Sequence, residues 1–253
     1  MRRVFLAAWL AACGGTTGSN LVSFRAMVGG AADASAPLSF DNGKGYHVSL
    51  TRALLHVGAV YLNESNPNPG AGPGPCILPG IYVAEVFGPV TVDLLSPALQ
   101  PFPTQGEGTE TPAKTAEVWL TGGDINAQTD LTVIFDVSGT ATKDGATYPF
   151  QATSHISDNW AIPVSNPALP GANPICKQRI ATPIQVDFTP TDGGLLTLRI
   201  HASGMFQDVD FATLGPANGS STLEIPDGPV GAGLVLHTGL LSAFGVYELS
   251  WSG

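Results

Sequence analysis

Short apolar segments separated by glycine- and proline-rich turns are the feature that most constrains the fold of this chain. Turn signals recur roughly every 8–15 residues, as in all-β sandwiches and barrels. The 31 glycines and 21 prolines make up about a fifth of 253 residues, above the ordinary share of about 12%. At 43% hydrophobic residues the chain has enough apolar surface for a packed core. The sequence therefore predicts an all-β fold, either an antiparallel β-sandwich or a partly open barrel.

Two hairpins are predicted from turn residues that lie between alternating runs. Residues 131–142 and 147–156 flank Asp144-Gly145, and Asp-Gly between such runs is a strong hairpin signal. Residues 184–189 and 195–202 flank a second turn, Thr-Asp-Gly-Gly. Further strands are predicted at 46–50, 54–62, 81–87, 90–95, 117–121, 234–241 and 246–251.

The N-terminus has the pattern of an export signal. Arg2 and Arg3 precede an apolar run, residues 4–10, and small residues lead up to Cys13. The run is too short to span a bilayer, which takes about 20 residues. Leu10-Ala11-Ala12-Cys13 resembles the lipobox of bacterial lipoproteins. The resemblance implies a diacylglyceryl thioether on Cys13 and cleavage before it; an ordinary signal peptide with a chance cysteine is the alternative.

This N-terminus sets the predicted organisation of the chain. Residues 1–12 form a lipoprotein signal peptide, residues 13–37 a flexible tether with a possible first strand inside it, and residues 38–253 one β-sandwich domain. Gly14 after the cysteine resembles the outer-membrane sorting class of lipoproteins. The predicted location is the bacterial cell envelope, at the outer membrane on its periplasmic or surface face, with the lipid as the membrane contact.

The charge of the chain excludes one class of partner. Removal of the signal takes away Arg2 and Arg3 and leaves 8 basic against 20 acidic residues, a net charge of −12. A basic footprint for nucleic acid is therefore missing. The same charge opposes binding of the domain itself to anionic lipids, so membrane attachment falls to the N-terminal lipid.

The two cysteines that remain predict a disulfide. Cys76 and Cys176 each end a segment rich in proline, glycine and asparagine, and an exported protein lies in oxidising surroundings. Two buried thiols are the alternative. The sequence contains no Cys-x-x-Cys pair, which argues against a redox motif or a zinc ribbon.

Two sets of side chains are candidate metal ligands, although no cofactor is expected from the sequence as a whole. His47, His155 and His201 lie in predicted strands and point away from the core if their neighbours Val48, Ile156 and Ile200 face it. Met205 follows four residues after His201. On neighbouring strands they would bind copper or zinc; three unrelated, solvated histidines are the alternative.

The second set would bind calcium. Asp124, Asn126 and Asp130 place three oxygen-bearing side chains in one turn. Calcium takes six to eight oxygen ligands, and Asp and Asn also occur in turns because they bond to their own backbone. Both interpretations remain open for this turn.

No catalytic motif is visible in the sequence. Gly-x-Ser-x-Gly, His-Glu-x-x-His and the phosphate-binding Gly-x-x-x-x-Gly-Lys pattern are all missing. The leading hypothesis is a non-enzymatic binding or scaffold module of the cell envelope, with an envelope protein or a glycan as ligand, because strands that present loops suit recognition. The alternatives are a periplasmic copper- or zinc-binding protein that uses the histidines, and a hydrolase whose site is built from loops.

Overall fold

The computed structural model describes residues 19–66, 80–121, 131–155, 179–217, 219–228 and 230–253. Of the residues described, 53% lie in strands and 10% in helices, and these strands form one large mixed sheet that does not close into a barrel. The prediction of an all-β, sandwich-like fold is confirmed. Within the described ranges, no helix has the length and hydropathy needed to cross a membrane.

The strands in chain order are β1 (Leu21–Gly30), β2 (Leu38–Asp41), β3 (His47–Asn63), β4 (Tyr82–Asp93), β5 (Gln100–Pro101), β6 (Gly106–Thr109), β7 (Ala113–Trp119), β8 (Phe135–Lys143), β9 (Ala146–Ser154), β10 (Ile180–Phe188), β11 (Leu195–Ile200), β12 (Gly215–Pro216), β13 (Leu223–Glu224) and β14 (Tyr247–Ser252). In the described ranges, the strands are accompanied by the α-helices α1 (Ala202–Met205) and α2 (Gly231–Leu240) and by a 3₁₀ turn, Phe211–Thr213.

The long strand β3 is the centre of the sheet. The sequence predicts two strands here, 46–50 and 54–62, but the chain continues as one strand of 17 residues with a register shift near Arg52. Its first part pairs with β2 and β8, and its last part pairs with β4 and β7, all antiparallel. Its buried side chains, such as Leu50 and Leu55, fill the main core. The length of β3 therefore lets one strand join both halves of the sheet.

Strand β4 is likewise one strand where the sequence predicts two. Gly88 has φ +116°, a backbone conformation that other residues rarely adopt. The pairing with β3 shifts register between Val57 and Ala59, opposite this glycine. Gly88-Pro89 therefore makes an irregularity within β4 rather than a turn between strands.

The sheet continues from β4 through β6 and β1 to β11 and β14. The pairs β1–β11 and β13–β9 are parallel, which makes the sheet mixed rather than purely antiparallel. β1 lies inside this path and buries Phe24 and Val28. The folded part of the chain therefore includes residues 21–30, which were predicted to form a possible strand within the tether.

Aromatic packing joins two arms of the sheet, one that runs from β3 through β7 to β10 and one that runs from β3 through β4, β6, β1 and β11 to β14. Phe188 of β10 stacks on Trp251 of β14 with ring centroids 5.6 Å apart, and Phe24 of β1 meets the same indole edge-on at 5.0 Å. β10 belongs to the arm that leads from β3 through β7, whereas β14 ends the other arm. Packing of rings, rather than strand pairing, brings these ends together.

The first predicted hairpin is confirmed and the second is wrong. β8 and β9 pair around Asp144 (φ 51°) and Gly145 (φ 79°), as a two-residue turn requires. β10 instead pairs with β7, and β11 pairs with β1 and β14. The turn after β10 thus carries the chain from one arm of the sheet to the other, which local turn chemistry does not reveal.

The strand predicted at 234–241 is the helix α2. Its buried residues Gly233, Leu236 and Leu240 follow the spacing of one helical face. Gly239 permits close packing on α1, because a Cβ there would lie 2.1 Å from the carbonyl oxygen of Met205. A short apolar run is ambiguous between strand and helix, and here tertiary contact decides for the helix.

Candidate functional site

The three histidines predicted to bind a metal lie at three separate places. His47 Nδ1 is 2.8 Å from Asp41 Oδ1, His155 Nδ1 is 3.2 Å from Asp227 Oδ2, and His201 Nε2 is 3.3 Å from Glu248 Oε2. Each imidazole therefore has its own carboxylate partner. Across the described ranges, no group of three or more His, Cys, Asp or Glu side chains is arranged to hold a metal ion.

The strand register explains this separation. His47 pairs with Thr142, which pairs with Thr147 beside the hairpin turn, whereas His155 follows the far end of β9. Eight residues of strand separate these two levels, roughly 27 Å at about 3.4 Å per residue. His201 follows β11 on the other arm, and Met205 is buried in the main core.

Several other predicted site residues lie outside the described residues. These are Cys13, Cys76 and Cys176, and the candidate calcium ligands Asp124, Asn126 and Asp130. The lipid on Cys13, the disulfide and the calcium site therefore stay predictions.

A serine, a histidine and an aspartate do meet near the end of β9. Ser154 Oγ donates to Asp227 Oδ1 at 3.1 Å, and the backbone N–H of His155 donates to Asp227 Oδ2 at 2.8 Å. In a serine-hydrolase triad the imidazole must contact the serine hydroxyl. Here the serine hydroxyl and the imidazole both contact the carboxylate of Asp227, so the order of contacts is not that of a triad. The cluster fastens the segment after β13 to β9.

A different set of side chains forms a row across four strands. Glu117 of β7 pairs with Tyr61 of β3, Tyr61 pairs with Glu85 of β4, and Glu85 pairs with Glu107 of β6. Directly paired residues point to the same face with Cβ atoms about 4.5–5.5 Å apart. Three carboxyl groups and one phenol therefore share one face of the sheet; we call this set the acidic row.

Glu117 is the buried end of the acidic row. It is fully buried, and its carboxylate accepts hydrogen bonds from Trp119 Nε1 (2.8 Å), Asn63 Nδ2 (3.3 Å) and the Tyr82 hydroxyl (3.4 Å). Burial raises the pKa of Glu117, although these hydrogen bonds act in the opposite direction. Asn63 is also fully buried, and its Oδ1 atom has no hydrogen-bond partner among the residues that the structure describes.

Aromatic rings surround Tyr61 on the same face. Its ring centroid lies 4.9 Å from that of Trp119, 5.3 Å from that of Tyr82 and 5.5 Å from that of Phe87. Burial, together with the nearby carboxylates Glu85 and Glu117, raises the pKa of Tyr61 to about 12. The phenol therefore stays protonated, and this part of the face is an aromatic platform between carboxyl groups.

The exposed end of the acidic row lies in a cleft of about 570 Å³, which we call the acidic cleft. Glu85, Glu107 and Asp192 line it together with Tyr82, and the remaining wall comes from Leu21, Ser23 and Thr109 among others. Asp192 is held in place because its Oδ1 accepts the backbone N–H of Ser23 at 3.0 Å.

The carboxylates of the acidic cleft have no basic partner in the described part of the chain. The ion pairs of the described residues involve acids outside the cleft, namely Asp208, Asp41, Asp136, Asp187, Asp227 and Glu248. Burial raises the pKa of Glu85, and the neighbouring Glu107 raises it further. The site is thus a concave surface with negative charge and with the ring of Tyr82 in its wall.

Comparison with known proteins identifies no family for this chain. No family model matches it, and no curated protein matches it. Among solved structures, MbnP from Methylosinus trichosporium is similar with a TM-score of 0.39 and 11% sequence identity. The match covers 93% of this chain and 99% of that chain. A likeness this weak carries no argument about fold or function.

The residues of the acidic cleft were not singled out from the sequence, although one signal was present. Glu85 interrupts the apolar run Tyr-Val-Ala-Glu-Val-Phe of a predicted strand, and a carboxylate in such a run is unusual. Its neighbour Glu107 comes from a segment that reads as a connection rather than a strand. Only strand order, which the sequence does not reveal, places the two side chains opposite one another.

Proposed function

We propose that this protein is a non-enzymatic binding module of the bacterial cell envelope, held to the membrane by a lipid on Cys13, that takes a cationic ligand in the acidic cleft. The observation that carries the proposal is the direct pairing of Glu85 with Glu107 in the wall of this cleft. Like charges directly opposite on neighbouring strands destabilise a sheet. A bound cation would offset the repulsion between the two carboxylates, so the cleft attracts a cationic ligand.

The chemistry of the cleft favours an ammonium or guanidinium group. Carboxylates make charge-assisted hydrogen bonds to such groups, and an aromatic face attracts an organic cation. Tyr82 lines the cleft, and its hydroxyl donates to the buried Glu117. Glu117 therefore acts as a positioning residue that holds the ring of Tyr82 in the wall. A lysine or arginine side chain of an envelope protein, or an amino sugar of a glycan, carries the required group.

The position of the cleft agrees with a membrane-tethered receptor. Leu21 and Ser23 line the cleft at the beginning of β1. In the proposed mature chain, residues 13–20 precede this strand and reach at most about 28 Å when fully extended. The cleft would then open within that distance of the membrane, where ligands of the envelope surface lie.

Calorimetric titration of the detergent-extracted protein with lysine amide and arginine amide tests this proposal. We expect binding that weakens with added salt and falls at least tenfold in the variant Glu85→Gln/Glu107→Gln. Glu224→Gln is the matched control, because Glu224 lies in β13, which is joined to β3 through β8 and β9 and not through β4 and β6. Binding that is equal in the double variant and the control, or no binding of either amine, would contradict the proposal.

A further inference from the structure

An uncharged surface covers the end of the fold that carries α2. Residues 230–247 contain no Asp, Glu, Lys or Arg, in a chain whose net charge is −10. Three of its apolar side chains are exposed, namely Val230 at 71%, Leu234 at 43% and Phe244 at 94%. We call this surface the uncharged cap. Large apolar side chains grouped on a surface without charges are typical of an interaction site.

Phe244 projects from a turn that hydrogen bonds hold in shape. Ser242 Oγ donates to the carbonyl oxygen of Phe244 at 3.0 Å, and the backbone N–H of Ser242 donates to the carbonyl oxygen of Gly239 at 3.1 Å. Gly245 then reverses the chain with φ +73°. The exposed ring is thus presented by an ordered turn, which lowers the entropy that binding must overcome.

A cleft of about 620 Å³ lies directly beside this ring. Phe244 stands at its edge, Leu234, Val235 and Thr238 are among the residues that line it, and Asp208, which pairs with Lys44 at 3.9 Å, is its charged residue. The uncharged cap therefore carries a protruding aromatic ring and a partly apolar cavity next to each other. A two-fold interface uses one surface on both copies, so a protrusion next to a cavity is self-complementary.

We infer that the uncharged cap is an interface between two copies of this chain, with Phe244 of each copy seated in the cleft of the other. Two acidic copies repel one another over most of their surfaces, and the repulsion is weakest here, because residues 230–247 carry no Asp, Glu, Lys or Arg and Asp208 in the cleft is paired with Lys44. An aromatic side chain that fills a pocket is the usual energetic centre of an interface. The cap is small, so the dimer is weak and depends on concentration.

The position of the cap argues for a second copy rather than the membrane. Its residue Tyr247 pairs with Ile200, which pairs with Gly30 at the end of β1. The ten residues of β1 therefore place the cap about 33 Å from Leu21, where the tether enters the fold. An apolar surface at that distance lies far from the proposed point of membrane attachment.

Sedimentation velocity of the detergent-extracted protein, with the detergent matched in density to the solvent, tests this inference. We expect wild-type protein to form dimers as its concentration rises, and Phe244→Asp to weaken the association constant at least tenfold. Leu131→Asp is the matched control, because Leu131 is 78% exposed and lies outside the cap. Thermal unfolding of both variants verifies that they fold.

Three outcomes would overturn the inference. Wild-type protein that stays monomeric up to millimolar concentration has no such interface. A dimer that Phe244→Asp weakens no more than Leu131→Asp uses another surface. Retention of the dimer, together with loss of binding to phosphatidylethanolamine–phosphatidylglycerol vesicles in Phe244→Asp, would show that the cap binds a bilayer instead. The argument against the membrane rests on the proposed lipid at Cys13, but none of these measurements involves the acidic cleft, so failure of the dimer and failure of cation binding are distinguishable.

Discussion

Among single residues, Glu117 departs furthest from what its type predicts. A glutamate is rarely fully buried without a basic partner, yet this carboxylate is held by three uncharged donors. The alternation of β7 predicts that Glu117 shares a face with Trp119. It does not predict that this face is covered, because a glutamate in a strand ordinarily marks the solvent side. Its burial follows from tertiary packing alone.

Substitution of Glu117 tests its protonation. Because burial raises its pKa in the folded state, the folded protein binds a proton more tightly than the unfolded chain. The resulting stability is fully present below the unfolded pKa and is lost as pH rises through the folded pKa. We therefore expect Glu117→Gln to gain stability relative to wild type as pH rises across that window, in urea unfolding at a series of pH values. A relative loss would contradict this sign.

Glu117→Ala separates the hydrogen bonds from the charge. Removal of the carboxyl group leaves the buried indole N–H of Trp119 without its acceptor, and such a loss costs about 1–3 kcal/mol. We expect this loss in denaturant unfolding at all pH values. Equal stabilities of Glu117→Ala and Glu117→Gln would show that the hydrogen bonds contribute little.

The pairing of Glu85 with Glu107 predicts how Glu107→Gln changes the pKa of Glu85 and the stability of the fold. Glu107→Gln should lower the pKa of Glu85, because the charge of Glu107 disappears while the burial of Glu85 remains. It should also raise the free energy of unfolding at neutral pH by about 0.2–1 kcal/mol, as expected for removal of a like-charge pair. Carboxyl resonances in NMR and urea unfolding measure the two effects. A raised pKa of Glu85 in this variant would contradict the pairing.

At the level of elements, local chemistry predicts what stays local. Asp144-Gly145 places the β8–β9 hairpin correctly because the turn and both strands are neighbours in sequence. The turn after β10 has equally good turn residues but joins strands on different arms. Helix α2 fails for the same reason, since its apolar run suits either a strand or a helix until it packs on α1. Long-range contacts decide both cases.

Gly239 gives a test of that contact in which the sign is diagnostic. Alanine in place of glycine ordinarily stabilises a helix by up to about 1 kcal/mol. At Gly239 a Cβ would overlap the carbonyl oxygen of Met205, so we expect Gly239→Ala to destabilise the fold by about 1–3 kcal/mol. Gly228→Ala is the control, because a Cβ there meets no atom within 4 Å. Stabilisation by Gly239→Ala in denaturant unfolding would show that α2 does not pack on α1 in this way.

For the whole molecule, composition and turn spacing are sufficient to predict the all-β class but not the site. Of the three predicted histidines, His47 begins β3, whereas His155 and His201 follow the ends of β9 and β11. The register separates His47 from His155, and the arms of the sheet separate both from His201. The acidic cleft arises in the opposite way, because β4 and β6 bring together glutamates from segments that look unrelated in sequence. A site made from side chains on several strands depends on strand order, which periodicity cannot supply.

The claim that Glu85 contacts a cation is tested most directly by proton release on binding. A cation beside Glu85 lowers its pKa, which burial and Glu107 raise above the ordinary glutamate range, so binding expels protons at any pH where this group is partly protonated. Calorimetric titration with lysine amide in two buffers of different ionisation enthalpy measures those protons. We predict proton release by wild-type protein that is lost in Glu85→Gln and retained in Glu224→Gln. Binding without proton release, or release that is unchanged in Glu85→Gln, would contradict the account.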